Sequence, residues 1–330
     1  MARNKSHSII RNILKSKLPD GMEVSFETEH GYAVNGSSED LLKSKAMKDL
    51  RGQVQLVFTS PPFPLNRKKA YDNKTGDAYK KWLSEYAVLL TDVLRPDGSI
   101  VIEIGNSWEP GLPVMSTLAL EALLEFKKAA NLYLCQQFVW YNPAKLPTPA
   151  QWVTVDRTRV KDAFTMLWWL SPTPRPKANN RGVLVPYSPS MRKLLKKQSY
   201  NAGTRPSEHV ISATSFLSDN GGAIPPNVLQ HEADNFLVGS NTGSSDSYHA
   251  YCKAKGLKQH PARMPISLPK FFIGLCTEPG DLVFDPFGGS MTTGAAAEEM
   301  GRTWFATEVV DSYLEGAMGR FPKLIETEVV

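Results

Sequence analysis

The stretch GDLVFDPFGGSMTTGAAAEEMGRTWFATEVV, residues 280–310, decides the architecture. A buried strand ends at Asp285. A turn of Phe287, Gly288, Gly289 and Ser290 feeds a helix over 291–300, Gly301 stops it, and a strand over 303–308 ends in Glu308. Strand, glycine turn, helix and strand form a repeating unit of a parallel sheet. Gly288 and Gly289 let a ligand approach the backbone closely. An acid at the second strand's tip is placed to accept hydrogen bonds from ribose hydroxyls. The same residues also fit an ordinary strand–turn–helix whose glycines serve packing.

Details of the turn narrow the ligand. There is no G-x-x-x-x-G-K-[ST] cradle for phosphates and no full G-x-G-x-x-G, so a nucleoside triphosphate is excluded and NAD is weakly supported. Asp285 would repel a pyrophosphate and suits a ligand carrying positive charge. S-adenosylmethionine has a ribose, an adenine, an ammonium and a sulfonium, and no phosphate.

Outward from this unit the alternation continues. Strands are expected at 32–35, 54–59, 99–105, 132–141 and 162–171. Helices are expected from Ser37 to about Leu50, over 78–94 and 117–130, and again at 267–277, with a turn at Pro96-Asp97-Gly98. Strands alternating with helices predict an α/β fold with a mostly parallel sheet covered on both faces. From 172 to about 260 the pattern fails: Pro, Ser, Asn and Gly dominate, and bases outnumber acids about two to one. The expected division is 1–171 and 259–330 as two halves of one domain, with 172–258 as an irregular insertion.

The strand at 54–59 runs into Thr59-Ser60-Pro61-Pro62-Phe63, followed by a basic loop with Arg67, Lys68 and Lys69. Two prolines fix φ at successive residues and remove two N–H donors, which holds the neighbouring carbonyls rigid. The Pro61 carbonyl and the Ser60 hydroxyl can then receive an exocyclic amine, while Phe63 offers a face for a base. Alternatively the turn only closes the strand, with Phe63 in the core and the basic loop solvated.

Composition sets outer limits. The 330 residues are 42% hydrophobic, with net charge +5 and pI ≈ 8.9, enough for a sizeable core and compatible with a polyanionic partner. Cys135, Cys252 and Cys276 are sparse and lack metal-like spacing, which fits a reducing compartment. No run of 18 apolar residues spans a membrane. His231, His249 and His260 have no metal-site spacing and read as surface or packing residues. Ile9, Ile10, Ile13 and Leu14, at helical spacing in an acid-free N-terminus, suggest an amphipathic arm lying near phosphates.

Together TSPPF and FDPFGGS resemble the amino-methyltransferases of DNA, in particular the cytosine-N4 group of the permuted β class, in which the catalytic motif precedes the cofactor motif. The likeness covers roughly residues 32 to 310 and includes RPDGSIVIEIG, VWYNPAKLPTPAQWV and QHPARMPISLPKFF. It implies a Rossmann-like S-adenosylmethionine-dependent methyltransferase fold in which 172–258 is a target-recognition segment. It implies catalytic roles for Ser60, Pro61, Pro62 and Phe63. It assigns the cofactor to Asp285, Phe287, Gly288, Gly289, Ser290 and Glu308, with Ala262 and Pro265 closing over it from HPARMP. Where relatives carry Gly-Asp after the first strand, this chain has Gly36-Ser37. Ser37 either replaces that adenine contact or caps the helix.

The resemblance further implies double-stranded DNA as partner and no metal. A monomer in the cytoplasm is the expectation, working beside a cognate restriction endonuclease or as an orphan. Arg67, Lys68 and Lys69 would hold phosphates, and Arg205, His209, Asn220 and Asn227 are candidate readers of bases. No cysteine follows a proline, so the thiolate attack that carbon-5 methylation needs has no candidate. Adenine N6 is the alternative target, and a non-catalytic DNA-binding protein of the same fold is a further one. Neutralising Lys68 and Lys69 should weaken DNA binding for every sequence and flatten its salt dependence. Titrations at several salt concentrations measure this, and an unchanged slope would mark a solvated loop.

Overall fold

The computed structural model describes residues 2–63, 74–214, 216–230 and 247–324, the side chains of 2–6 excepted. Within them the chain forms two compact units, 1–178 with 227–330, and 179–226.

The larger unit is built on a nine-stranded sheet. In chain order its strands are β1 (Glu23–Glu27), β2 (Gly31–Asn35), β3 (Val54–Thr59), β4 (Leu94–Ile104), β5 (Tyr133–Tyr141) and β6 (Phe164–Ser171). After a two-stranded hairpin in the smaller unit, β7 (Gly203–Thr204) and β8 (Val210–Ile211), come β9 (Val228–Gln230), β10 (Leu282–Asp285) and β11 (Thr303–Glu308). The large sheet is ordered β1-β2-β11-β10-β3-β4-β6-β5-β9. Strands β2, β11, β10, β3 and β4 run parallel, so their C-terminal tips share one edge. Every residue of β3 and β10 is buried, as expected for parallel strands covered on both faces.

The helices are α1 (Ala2–Ser16), α2 (Ser38–Lys43), α3 (Lys45–Lys48), α4 (Gly76–Val93), α5 (Leu118–Ala129), α6 (Pro189–Lys197), α7 (Ser247–Lys255), α8 (Ser267–Cys276), α9 (Thr292–Glu299) and α10 (Asp311–Ala317). From β10 the chain returns through α9 to β11 on one side. From β3 it proceeds through α4 to β4 on the other. The adjacent pair β10/β3 is therefore the topological switch point, where open parallel sheets bind ligands.

The sheet is mostly parallel, as expected, and its edge pair β5/β9 is parallel too; β6 is antiparallel to both β4 and β5, and β1 to β2. Other expectations are corrected. Pro96-Asp97-Gly98 does not end an element but lies inside β4, where the register with β3 shifts. The segment 172–258 is not one piece. Residues 179–226 form the smaller unit, β9 joins the large sheet beside β5, and α7 packs with the C-terminal elements. The N-terminus is no arm. Ile10, Ile13 and Leu14 are 0, 3 and 1% exposed within the main core, because the apolar spacing that suggested amphipathicity serves burial. Lys15 pairs with Glu27, and Lys17 with Asp49. Leu14→Ala should accordingly cost about 2–5 kcal/mol of stability. Urea unfolding measures the loss, and a change within error would detach α1 from the folding unit.

Candidate active site

The two motifs meet because β3 and β10 are neighbours. The Thr59 hydroxyl donates to Asp285 Oδ1 at 3.0 Å, tying together strand tips that lie 226 residues apart in the chain. Phe287 N donates to the same oxygen (3.1 Å) and the Thr293 hydroxyl to Oδ2 (2.6 Å). Asp285 is 2% exposed, and burial lifts its pKa to about 6 against these donors.

Around this junction lies a cavity of about 620 Å³. Ser60, Pro61, Pro62, Phe63, Ser37, Ala262, Asp285, Phe287, Gly288, Gly289, Ser290 and Glu308 all line it. Pro265 does not. It is buried, and its carbonyl accepts from Leu268 N at the start of α8. Ser37 caps α2 through Asp40 N (3.3 Å) and also faces the cavity, so both of its readings have a structural basis.

The glycine turn is shaped by close neighbours. Gly289 has φ +53, and a Cβ there would stand 3.1 Å from the His260 ring, while one on Gly288 would stand 2.7 Å from Met291. Glu308 Oε2 accepts from Gly289 N and Oε1 from Val310 N, both at 2.9 Å, which fixes the carboxylate at the mouth of the turn. Burial pushes its pKa up, and these backbone donors oppose the shift. Arg320 holds Ser290 by donating to its carbonyl (2.7 Å) and its hydroxyl (3.2 Å). His260, read as a surface or packing residue, packs its ring edge-on to Tyr313 and also lines the cavity.

Sequence reasoning missed much of the remaining wall. On α4, Tyr79, Trp82 and Tyr86 face the cavity, and Trp82 and Tyr86 lie 5.8 and 5.3 Å from the Phe287 ring. Their spacing of three and four residues was the available signal for one helix face. At the other end stand Glu103, Gly105, Asn106, Trp140, Lys145 and Thr165. Gly105 makes room for Phe63, whose ring would lie 2.6 Å from any Cβ there. Trp140 and Lys145 line the cavity, whereas Tyr141-Asn142-Pro143 between them does not. Lys145 is anchored on Asp162 at 3.0 Å, and Asp162 also accepts from Asn106 Nδ2 at 2.9 Å.

Glu103 is the chief omission. It is 5% exposed at the end of β4 and hydrogen-bonded to the Ser60 side chain. Burial raises its pKa to about 7, with the Ser60 bond and the Lys145 charge pulling the other way. A serine hydroxyl beside a carboxylate of near-neutral pKa can take a proton and pass it on.

The residues expected to contact DNA belong to different parts of the chain. Arg67, Lys68 and Lys69 lie outside the described residues. Arg205 and His209 close the β7/β8 hairpin through Arg205 N to His209 O at 2.9 Å, and the Arg205 guanidinium donates to Asn201 O. Asn220 donates to Ser218 O in the same small unit. Asn227 belongs to the larger unit, where its side chain donates to Gln137 O and helps dock β9 on β5. Among the described residues no cluster of His, Cys, Asp or Glu is arranged to hold a metal.

The family model described as DNA methylase, of N6/N4 type, matches residues 54–319. The type II methyltransferase M.PvuII of Proteus hauseri is 41% identical over 303 residues, covering 91% of this chain and 86% of that protein. The solved PvuII DNA methyltransferase (cytosine-N4-specific) superposes with TM-score 0.69 at 34% identity, covering 93% of this chain and 94% of its own. TTHA0409 of Thermus thermophilus, solved in complex with S-adenosyl-L-methionine, shares the fold at TM-score 0.52 and 16% identity, covering 90% and 95% of the two chains.

The raised pKa of Glu103 has a testable sign. Folding favours its protonated form, so its stabilising contribution is complete below the ordinary carboxylate range and is lost as pH rises through about 7. Glu103→Gln removes that loss. Its stability relative to the native protein should rise between about pH 5 and about pH 8, at up to roughly 1.4 kcal/mol for each step of one in pH. Urea unfolding at both pH values reads the difference, and a constant gap would mean that Glu103 titrates as an ordinary carboxylate.

Proposed function

This chain belongs to the DNA methylases of the N6/N4 type, and from that membership we propose that it methylates the exocyclic N4 of a cytosine flipped out of duplex DNA. It is an S-adenosylmethionine-dependent DNA methyltransferase. The observation that carries the reading is the joining of TSPPF to FDPFGGS at one cavity through Thr59 and Asp285.

The cavity fits the cofactor's chemistry. At the glycine turn it presents two carboxylates, Asp285 and Glu308, and an aromatic wall, a donor set that suits a ribose, an adenine and a cation and would repel a pyrophosphate. Glu308, held by two backbone N–H groups, would accept from the ribose hydroxyls. Gly288 and Gly289 would admit the amino-acid portion beside Asp285. Ser37 and Ala262 would flank the cofactor from either side. When bound, S-adenosylmethionine supplies an electrophilic methyl on its sulfonium.

The target end then works by position and polarisation. The Pro61 carbonyl accepts one N4 hydrogen, and Phe63 stacks on the ring. Ser60 donates to Glu103, which turns a hydroxyl lone pair towards the other N4 hydrogen. As the amine acquires positive charge, its proton passes to Ser60 and from Ser60 to Glu103. A carboxylate of pKa about 7 is basic enough to keep that proton and weak enough to release it to water near neutrality.

The basic loop at Arg67, Lys68 and Lys69 and the unit at 179–226, with Arg205, His209 and Asn220, would contact the duplex. Asn227, engaged in docking β9, contributes less directly. A monomer suffices, because one copy can modify the two strands of a palindrome in turn. Among the described residues no helix is long and apolar enough to cross a membrane, and action on the nucleoid in the cytoplasm fits a DNA substrate. A partner restriction endonuclease would match the type II designation of M.PvuII.

Two variants should separate the ends of the cavity. Ser60→Ala should cut single-turnover methyl transfer by on the order of 10²-fold, by analogy with loss of one oxyanion donor, and leave S-adenosylmethionine affinity nearly intact. Glu308→Ala should instead weaken cofactor binding by about 1–3 kcal/mol. Rapid-quench kinetics, calorimetry and nucleoside mass spectrometry read these effects. N6-methyladenine in the product would overturn the cytosine assignment, and full activity of Ser60→Ala would remove its catalytic role.

A further inference from the structure

Trp140 is 5% exposed and lines the cavity, yet its indole N–H is a buried donor with no hydrogen-bond partner among the described residues. A buried donor left unpaired is costly, and in a binding cavity the natural partner is a ligand acceptor. Its place in the sheet says which end of the cavity it serves. Trp140 pairs with Thr165 across β5 and β6, and Ile104 on β4 pairs with Met166 beside Thr165. Trp140, Thr165 and Gly105 thus run as a row out from Phe63, on the side of β3 away from β10 and β11. This is the target end, with Glu103 and Lys145, and not the glycine turn.

We propose that the Trp140 indole N–H donates to the ring carbonyl O2 of the flipped cytosine, an inference that rests on the reading of this cavity as the pocket for that base. The exocyclic amine is assigned to Ser60 and Pro61 at the tip of β3. On a cytosine ring the acceptor farthest from N4 is O2, and Trp140 stands on the strand farthest from β3 among those that line this end. A site that spends a buried donor on one acceptor discriminates against bases that leave the donor unpaired. Adenine carries no carbonyl, so the same contact favours cytosine.

Trp140→Phe tests this, because it deletes the N–H and keeps an aromatic body. Two readouts should move in opposite directions. The free protein should melt higher, by about a few degrees, since an unpaired buried donor is gone. Single-turnover methylation of the cytosine target should fall roughly tenfold or more, the scale of one hydrogen bond to a buried group. Trp168→Phe is the comparison: its indole N–H is also buried without a partner among the described residues, but it does not line the cavity. It should melt higher with unchanged turnover. Replacing the target by 2-thiocytosine, whose sulfur accepts weakly, should slow the native protein and leave Trp140→Phe no slower than it already is.

A Trp140→Phe protein as active as the native one would overturn the proposal while leaving the methyltransferase reading in place. A Trp140→Phe protein that melts lower while Trp168→Phe melts higher would overturn it too, because both variants lose the same ring volume and a satisfied N–H at Trp140 would then separate them. Additive losses from the variant and the thio target would mean that Trp140 acts elsewhere than on O2. A native protein that methylates no DNA would fail the underlying reading and not this contact alone.

Discussion

A buried carboxylate that ties two adjacent strand tips together organises this molecule. Asp285, at the end of β10, receives the Thr59 hydroxyl from the end of β3, the Phe287 amide from the turn and the Thr293 hydroxyl from α9. Each donor comes from a segment that the cavity needs in a fixed position: the turn bearing Ser60, the turn bearing Gly288 and the helix that follows. Two lone pairs on one oxygen are used and one on the other, so the group is held firmly while part of one oxygen's capacity stays free. Burial of such a group is costly, and three hydrogen bonds offset the cost only while the strand tips remain in register.

Asp285, Glu308 and Glu103 are three of the carboxylates that line the cavity, and their surroundings differ. Asp285 is occupied by neutral donors and titrates near 6. Glu308 is fixed by backbone amides at the rim of the glycine turn, with burial raising its pKa. Glu103, held by one hydroxyl and a nearby ammonium, titrates near 7. One accepts from three neutral donors, one presents oriented lone pairs, and one has a pKa near neutrality. Environments that push the pKa values of neighbouring acids apart are the usual means of assigning different roles to the same functional group.

Much of this was legible in the sequence because parallel strands announce themselves. VQLVFT, apolar up to its tip but for Gln55, and LVFD end in polar tips, and Pro-Pro or Gly-Gly soon after them marks a turn. Strand direction was not legible. A buried run such as FTMLWWLS reads the same whichever way it points, and only pairing with β4 and β5 makes it antiparallel. Apolar periodicity in the N-terminus was visible, but whether Ile10 and Leu14 face core or solvent depends on what lies opposite them. Glu103 was overlooked for a related reason. Glu103 sits in SIVIEIG, where a lone acid inside an apolar strand was itself the signal: such an acid is almost never fully buried unless it is paired.

The circular order of the motifs is a consequence of sheet geometry. Because β10 and β3 are hydrogen-bonded neighbours, the chain can begin on either side of the switch point and still deliver both turns to one cavity. Chain order then matters only for what is threaded between the halves. Here the chain leaves the large sheet after β6, forms the unit at 179–226, and rejoins the sheet as β9 beside β5. The break therefore falls on the β5/β6 side, where Glu103, Trp140, Lys145 and Thr165 gather, and not on the β11/β2 side, where Glu308 and Ser37 gather. The turn built by Gly288, Gly289 and Glu308 lies instead in one continuous stretch of chain from β10 to β11, closed on itself by the bond from Gly289 N to Glu308.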